Sequence, residues 1–206
     1  MARSKSSSTW MARHVSDPFV KKAQLDGYRS RSAYKLTELN EKDRLIRPGM
    51  RIMDLGSAPG GWSQVAGKLV GAKGRVLATD ILPMEPIKNV DFIQGDFTDE
   101  AVVAQLLEWL GGGKFDLIIS DIAPNITGID SADQASSMYF LELALDTVRQ
   151  TLKPGATFVA KMFQGSGSDQ YVKDLRTSFD KVLIRKPAAS RAESREVYIV
   201  AKGFKG

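Results

Sequence analysis

The sequence predicts an α/β fold: one mostly parallel, seven-stranded sheet with helices on both faces and an antiparallel last strand. Three observations support this prediction. Apolar segments of strand length alternate with segments of helical periodicity from residue 51 onward. A glycine-rich turn links the first strand to the helix that follows it. The loop between the last two strands is too short for a right-handed crossover, so those strands should pair antiparallel.

Length and composition indicate one globular domain. The chain has 206 residues, of which 43% are hydrophobic, and no apolar run approaches the ~20 residues of a membrane span. The first ten residues lack the apolar segment of a signal peptide, so we expect a cytoplasmic protein. With no cysteine and the single histidine His14, the chain offers no disulfide, no thiolate nucleophile and no expected metal site. Nothing in the sequence calls for an obligate dimer, and we expect a monomer.

The N-terminal quarter differs from the rest. Residues 1–15 are Ser-rich and basic, and we expect a disordered arm there. Ser16 as cap and Pro18 in the first turn predict a helix that ends near residue 25. A second helix is predicted over 32–44. Residues 16–50 would therefore form a helical extension of a single domain covering 16–206.

Beyond residue 50, strands and helices alternate along the chain. The first strand lies within 51–55, and a clean break follows the second helix of this region at Gly111-Gly112-Gly113. The remaining strands are predicted at 75–80, 90–93, 115–120, 157–162, 181–184 and 196–201. The helices are predicted at 61–70, 99–110, 133–152 and 168–179.

The turn after the first strand has the composition of a nucleoside-binding loop. Its glycines Gly56, Gly60 and Gly61 allow the backbone to approach a ligand closely. The spacing differs from the dinucleotide fingerprint, and Pro59 removes one N–H that could hold a pyrophosphate. We therefore expect a nucleoside ligand without a pyrophosphate. The alternative is an ordinary strand-to-helix turn with no ligand.

Acidic residues stand at or just beyond the ends of three predicted strands. Asp80, Asp96 and Asp121 should meet at the carboxyl edge of the sheet, where open α/β sheets bind ligands. Such carboxylates favour a cationic ligand, and S-adenosylmethionine carries a sulfonium and no phosphate. We expect Asp80 to bind its ribose, Asp96 its adenine and Asp121 to lie near the sulfonium. Gly60 and Trp62 would shape the methionine end.

Charge is segregated along the chain. Residues 1–50 carry a net charge of +6, residues 51–180 of −6 and residues 181–206 of +5. This pattern favours a polyanionic partner held by the two ends, although a solvated basic face without a partner remains the alternative. The basic residues expected to contact an RNA backbone are Arg29, Arg31, Lys35, Arg185, Lys186, Arg191 and Arg195.

Five segments together resemble the RrmJ/FtsJ family of heat-shock ribosomal RNA ribose 2′-O-methyltransferases. The resemblance spans roughly residues 17–203 and includes every motif of the family. The segments are RSRSAYKL at 29–36, DLGSAPGGWSQ at 54–64, SDIAPN at 120–125, AKMF at 160–163 and SREVY at 194–198.

The resemblance implies a Rossmann-like methyltransferase fold, S-adenosylmethionine as methyl donor and a catalytic Lys-Asp-Lys-Glu tetrad. Matched residue by residue, the tetrad falls on Lys35, Asp121, Lys161 and Glu196. For bacterial members it also implies the substrate: a uridine in the A loop of 23S ribosomal RNA, within the assembled 50S subunit.

The residues themselves agree with ribose methylation. Methyl transfer to a hydroxyl needs alignment and management of one proton, and no cysteine. Enzymes that methylate amines place an aromatic residue where Asn125 stands, and Asn125 cannot stack on a flipped base. Two other classes compete. A non-catalytic RNA-binding assembly factor would not need the intact tetrad, and a nicotinamide dehydrogenase would need the G-x-G-x-x-G spacing that is absent here.

Overall fold

A computed structural model describes residues 17–124 and 127–206. The expected disordered arm at 1–15, the expected cap Ser16, His14 and Asn125 lie outside these residues. The helices are α1 Pro18–Leu25, α2 Ala33–Asp43, α3 Gly61–Val70, α4 Glu100–Leu110, α5 Asp130–Thr151 and α6 Ser168–Ser178. The strands are β1 Arg51–Leu55, β2 Arg75–Asp80, β3 Val90–Gln94, β4 Phe115–Ser120, β5 Leu152–Phe163, β6 Phe179–Arg185 and β7 Glu196–Phe204.

The seven strands form one sheet in the order β3-β2-β1-β4-β5-β7-β6. The four pairings that link β3, β2, β1, β4 and β5 are parallel. Strand β7 enters between β5 and β6 and runs antiparallel to both. The predicted sheet, with its antiparallel last strand, is confirmed.

Helices cover both faces of the sheet, as predicted. On one face α2 and α3 pack on alternate residues of the central strands, including Ile52, Leu117 and Val159. On the other face α4, α5 and α6 pack on the intervening residues, such as Met53 and Ile118. Because side chains alternate across a strand, each apolar strand contributes to both cores, which explains the nearly continuous apolar runs in the sequence.

The N-cap of helix α1 lies one residue later than the sequence predicts. Its N-cap is Asp17, whose carboxylate accepts a hydrogen bond from the backbone N–H of Phe19 at 2.9 Å, with Pro18 as the first helical residue. The prediction of Ser16 as cap was therefore wrong, because an aspartate satisfies the same orphan donor from the next position.

Strand β5 starts five residues before the prediction. Leu152 pairs with Phe115 of β4, and the register shifts before Leu117 pairs with Thr157. This irregularity accommodates Pro154 and Gly155, which lie between the predicted helix at 133–152 and the predicted strand at 157–162.

Within the part of the chain that the structure describes, no helix combines the length and apolar character needed to cross a membrane.

Candidate active site

A cleft of about 400 Å³ opens at the carboxyl edge of the parallel strands. The loops that follow β1, β2, β3 and β4 form its walls, together with one aromatic residue of α5. The lining residues are Gly56, Ala58, Asp80, Ile81, Leu82, Gly95, Asp96, Phe97, Asp121, Ile122, Ala123, Pro124 and Phe140. The cleft lies where the glycine turn and the strand-end acids were predicted to meet.

The structure brings the three predicted acids into this one cleft. The carboxylate of Asp80 accepts hydrogen bonds from the backbone N–H groups of Ala58 and Leu82, each at 2.8 Å. One oxygen of Asp96 accepts from the backbone N–H and hydroxyl of Thr98, at 2.9 and 2.7 Å. These contacts fix both carboxylates in position before any ligand binds.

A fourth acid, Asp54, lies buried at the end of β1. It accepts a hydrogen bond from the hydroxyl of Ser63 at 2.6 Å, while its other oxygen has no hydrogen-bond donor within the described residues. Burial raises the pKa of Asp54 to about 7, with a further contribution from the negative charges of Asp121 and Asp80 and in spite of the Ser63 hydrogen bond. Sequence analysis assigned Asp54 no role; its burial next to two other carboxylates is a property of the folded chain.

The glycine turn brings backbone against the opposite wall of the cleft. Gly56 has a φ of +66°, and a Cβ there would lie only 2.1 Å from Cγ1 of Ile122. Any larger residue would therefore displace Ile122 and close the cleft, which explains the glycine at this position.

Two residues predicted to shape the methionine end of the site are not among those that line the cleft. Trp62 is 2% exposed, donates from its indole N–H to the carbonyl of Ser32 at 2.9 Å and packs on Tyr198 with 5.6 Å between ring centroids. It therefore belongs to the core under α2. A Cβ at Gly60 would meet Ile87 at 2.7 Å and Met84 at 2.9 Å, so the turn is closely packed on that side. Ligand contact by these two residues stays a prediction.

Next to the cleft, the four tetrad residues form two ion pairs. Lys161 Nζ lies 3.1 Å from Oδ1 of Asp121 and donates to the backbone carbonyl of the same residue at 2.7 Å. Lys35 Nζ lies 2.6 Å from Oε1 of Glu196. All four side chains are largely buried, so these contacts are poorly screened by water.

Tyr198 joins the two pairs, and sequence analysis did not assign it. Its hydroxyl donates to Oδ1 of Asp121 at 2.6 Å and lies 3.2 Å from Oε1 of Glu196. Burial raises the pKa of Tyr198 well above its ordinary value, and the two carboxylates raise it further, so the hydroxyl keeps its proton at neutral pH. Because Tyr198 stands two residues after Glu196 on β7, strand alternation could have placed it on the same face.

Glu196 is ionised in this array. Burial tends to raise the pKa of its carboxyl, but the ammonium groups of Lys35 and Lys161 and a hydrogen bond from Ser190 lower that pKa below its ordinary value. The site therefore brings two lysine side chains, two acidic side chains and one protonated phenol around a common centre. Such an array can orient a hydroxyl group and stabilise charge that develops on it.

Several basic residues predicted to face RNA instead make internal contacts. Arg29 donates to the carbonyls of Glu85 and Pro86 at 2.7 and 2.9 Å. Arg31 pairs with Asp17 and donates to the carbonyl of Ala189. Arg185 pairs with Asp43 at 2.8 Å, and Lys186 donates to the carbonyls of Ser194 and Glu196. Arg191 and Arg195 lie 3.8 Å from Asp17 and 3.4 Å from Asp130, but their side chains are 39% and 53% exposed.

This fold and site define a class. A sheet of this order, with β7 antiparallel and an acid-lined cleft at the carboxyl edge of its parallel strands, is that of the Rossmann-like methyltransferases. Within that class the chain belongs to the family described as FtsJ-like methyltransferase, whose model matches residues 28–204.

Individual relatives agree with this assignment. A protein of Stutzerimonas stutzeri named ribosomal RNA large subunit methyltransferase E is 70% identical over 206 residues, covering all of both chains. A protein of the same name from Marinobacter nauticus is 65% identical and covers all of this chain and 99% of its own. The crystal structure of a Plasmodium falciparum protein assigned as a ribosomal RNA methyltransferase has a TM-score of 0.78 at 34% identity, covering 87% of this chain and all of its own.

Proposed function

We propose that this protein uses S-adenosylmethionine to methylate the ribose 2′-hydroxyl of a uridine in the A loop of 23S ribosomal RNA. Relatives at 70% and 65% identity, both named ribosomal RNA large subunit methyltransferase E, support the choice of RNA. The resemblance to RrmJ/FtsJ supports the 2′-hydroxyl, the uridine and the assembled 50S subunit as substrate. The enzyme would act on that particle as a monomer in the cytoplasm.

One observation carries the proposal. The Lys161–Asp121 and Lys35–Glu196 pairs, joined through Tyr198, stand directly beside the acid-lined cleft, and Asp121 belongs to both the tetrad and the cleft. A nucleoside donor in the cleft and a ribose acceptor at the tetrad would therefore meet at Asp121. Methyl transfer needs this alignment of donor and acceptor more than it needs a nucleophile from the protein.

The residues of the cleft fit S-adenosylmethionine. Asp54, Asp80 and Asp121 place three carboxylates close enough to interact, and this accumulation of negative charge calls for a cation. Exposed apolar side chains at Ile81 and Leu82 offer surface to a purine. We propose that Asp80 binds the ribose, Asp96 the adenine edge and Asp121 lies near the sulfonium.

Gly60 and Trp62 would act on the cofactor indirectly in this proposal, by building the turn and its packing. When bound, S-adenosylmethionine would supply an electrophilic methyl group. The protein's own contribution is to position the acceptor hydroxyl and manage its proton.

We propose that Lys161 interacts with the 2′-hydroxyl of the RNA ribose and controls where its proton goes. In one version a neutral Lys161 accepts the 2′-hydroxyl proton as general base. In the other it stays charged, orients the hydroxyl and stabilises the oxyanion character that develops. Asp121 holds Lys161 in either version, while Lys35 and Glu196 orient the RNA ribose.

Substitution of Lys161 tests the proposal and separates the two versions. In single-turnover assays on saturating 50S subunits, Lys161→Ala should reduce methyl transfer by about 100-fold or more, while S-adenosylmethionine affinity by calorimetry stays unchanged. Lys161→Arg keeps the charge but cannot deprotonate, so substantial activity in this variant would exclude the general base.

Lys153→Ala is the matched control, because Lys153 lies on the same strand with a side chain that is largely exposed. Full activity in Lys161→Ala would show that Lys161 is only structural. Mapping of methyl groups on ribosomal RNA from cells lacking the protein identifies the target: loss of one 2′-O-methyluridine in the A loop is expected, and an unchanged map would contradict the proposed substrate.

A further inference from the structure

The loop between β6 and β7 carries a serine that contacts the tetrad. Ser190 is buried, and its hydroxyl donates to Oε1 of Glu196 at 2.8 Å. Lys35 Nζ at 2.6 Å and the Tyr198 hydroxyl at 3.2 Å lie at the same oxygen. Within the described residues, no hydrogen bond reaches the other oxygen, Oε2. Three contacts on one oxygen thus fix the carboxylate and leave its second oxygen available.

This loop is held from outside the strands that it connects. The backbone N–H of Ala188 donates to Oε2 of Glu38 on α2 at 2.7 Å. The guanidinium of Arg31 donates to the carbonyl of Ala189 and pairs with Asp17. The N–H of Ser190 itself donates to the carbonyl of Pro187 at 2.9 Å, which closes a turn. The N-terminal extension therefore determines where the Ser190 hydroxyl lies.

We propose that Ser190 is a positioning residue for ribose methylation, which holds Oε1 of Glu196 so that Oε2 is the acceptor for a hydroxyl of the RNA ribose. This inference rests on the proposed function. It also explains the contacts of Arg31 and Glu38, because these residues anchor the turn that positions the Ser190 hydroxyl.

The charged surroundings of Glu196 explain why a neutral donor matters there. Lys35 from α2 and Lys161 from β5 attract the carboxylate, and Asp121 faces it through the Tyr198 hydroxyl. An ammonium group fixes a carboxylate only loosely in direction, since its charge is compact and its stem flexible. The Ser190 hydroxyl, on an anchored turn, adds a directional bond to the ionised form. Its hydrogen bond also contributes to the lowered pKa of Glu196.

The test uses the full-length protein with selectively ¹³C-labelled glutamates, and Glu196→Gln assigns the Glu196 carboxyl signal. Removal of the hydroxyl in Ser190→Ala should raise the pKa of Glu196 by about one unit, because the ionised form then has one hydrogen bond fewer. The single-turnover rate on 50S subunits should fall about tenfold, with S-adenosylmethionine affinity unchanged. Ser190→Thr keeps the hydroxyl and should retain both wild-type values, as should the control Ser178→Ala.

A second measurement separates positioning from general structure. In the Glu196→Gln background, Ser190→Ala should cause no further loss of rate, since the two residues act as one unit. An unchanged Glu196 pKa in Ser190→Ala, an additive loss in the double variant, or a folded Ser190→Thr protein that behaves like Ser190→Ala would each overturn the inference. Absence of methyl transfer by the wild-type protein would refute the proposed function instead.

Discussion

At the scale of single residues, Asp54 shows how burial sets the chemistry of the cleft. Its carboxyl is enclosed at the end of β1 beside the hydroxyl of Ser63, and burial raises its pKa to about 7. A raised pKa means that the protonated form is present at mildly acidic pH. A cation in the cleft would favour the ionised form, so binding of such a ligand should release a proton from Asp54.

This linkage predicts a pH dependence of cofactor binding. S-adenosylmethionine affinity should increase about tenfold between pH 5.5 and pH 7. Asp54 must ionise when the cation binds, and below the pKa of Asp54 this deprotonation costs part of the binding free energy. The range ends below the pKa of an α-amino group, about 7.7–8.0, so the ligand's own ammonium stays charged. Calorimetry in buffers of different ionisation enthalpy measures both the affinity and the proton release.

Two variants give this prediction its control. Asp54→Asn cannot ionise and should bind with an affinity that is nearly independent of pH in this range. Asp174→Asn, at an exposed residue of α6 that hydrogen-bonds Gln170, should keep the wild-type dependence. A wild-type affinity that does not vary between pH 5.5 and pH 7 would show that Asp54 does not titrate with binding.

The sequence predicts the location of some site residues better than that of others. The strand-end acids Asp80, Asp96 and Asp121 were predictable, since parallel strands end at one edge whatever the detailed packing. The contact of Ser190 was not, because it depends on the course of the loop before β7. For Tyr198, strand alternation predicts only the face that it shares with Glu196, since the contact with Asp121 depends on the antiparallel entry of β7. The ligand contact of Trp62 stays a prediction, whereas its packing on Tyr198 was not predictable, because a residue in the first turn of a helix can face the core as easily as a ligand.

At the scale of elements, a partly buried ion cluster links the N-terminal extension to the far edge of the sheet. Asp43, the last residue of α2, accepts two hydrogen bonds from Arg185 of β6, at 2.8 and 2.9 Å. Lys202 of β7 donates to its backbone carbonyl at 2.7 Å. The hydrogen bonds of Arg185 are the main reason that the pKa of Asp43 lies below its ordinary value, in spite of partial burial.

Loss of this cluster should destabilise the protein measurably. Asp43→Ala leaves the guanidinium of Arg185 and the ammonium of Lys202 without their carboxylate, and we expect the free energy of unfolding at pH 7 to fall by about 2–4 kcal/mol. Because the folded-state pKa is lowered, this contribution is present above pH ~4 and is lost as pH falls through the folded pKa, so the difference should shrink at pH 3. Urea unfolding at the two pH values measures it.

Asp146→Ala is the matched comparison. Asp146 pairs with Arg149 at 3.1 Å one turn along α5, and both side chains are more than half exposed. An exposed pair of this kind contributes about 0.5 kcal/mol or less. Equal losses in the two variants would show that the Asp43 cluster is no stronger than a surface pair.

Element boundaries were less predictable than element types. All seven strands and the helices from α1 to α6 were predicted, because periodicity survives small local irregularities. The early start of β5 was not, since Pro154 and Gly155 normally interrupt a strand and only the shifted pairing with β4 admits them. That pairing involves residues distant in sequence, which a local pattern does not contain.

At the scale of the whole molecule, the basic ends hold fewer free cations than their charge suggests. The segments 1–50 and 181–206 carry net charges of +6 and +5, but Arg29, Arg31 and Arg185 use their donors in internal contacts. A count along the sequence does not distinguish these residues from exposed ones. Arg191 and Arg195 also lie near carboxylates, at 3.8 Å from Asp17 and 3.4 Å from Asp130, but their side chains are 39% and 53% exposed and can still reach a phosphate.

The salt dependence of RNA binding should therefore arise in part from these two exposed arginines. Replacement of Arg191 and Arg195 by Gln should reduce the slope of log Kd against log salt concentration by about one for each phosphate that is no longer neutralised, because fewer counterions are released. Arg149→Gln, at an arginine of α5 that is equally exposed but lies outside the two basic end segments, should leave the slope unchanged. Arg31→Gln removes a brace of the loop around Ser190 rather than a free cation, so it should reduce the methylation rate with little effect on slope. A slope lowered by Arg31→Gln but not by the Arg191 and Arg195 substitutions would show that RNA reaches the extension by another path.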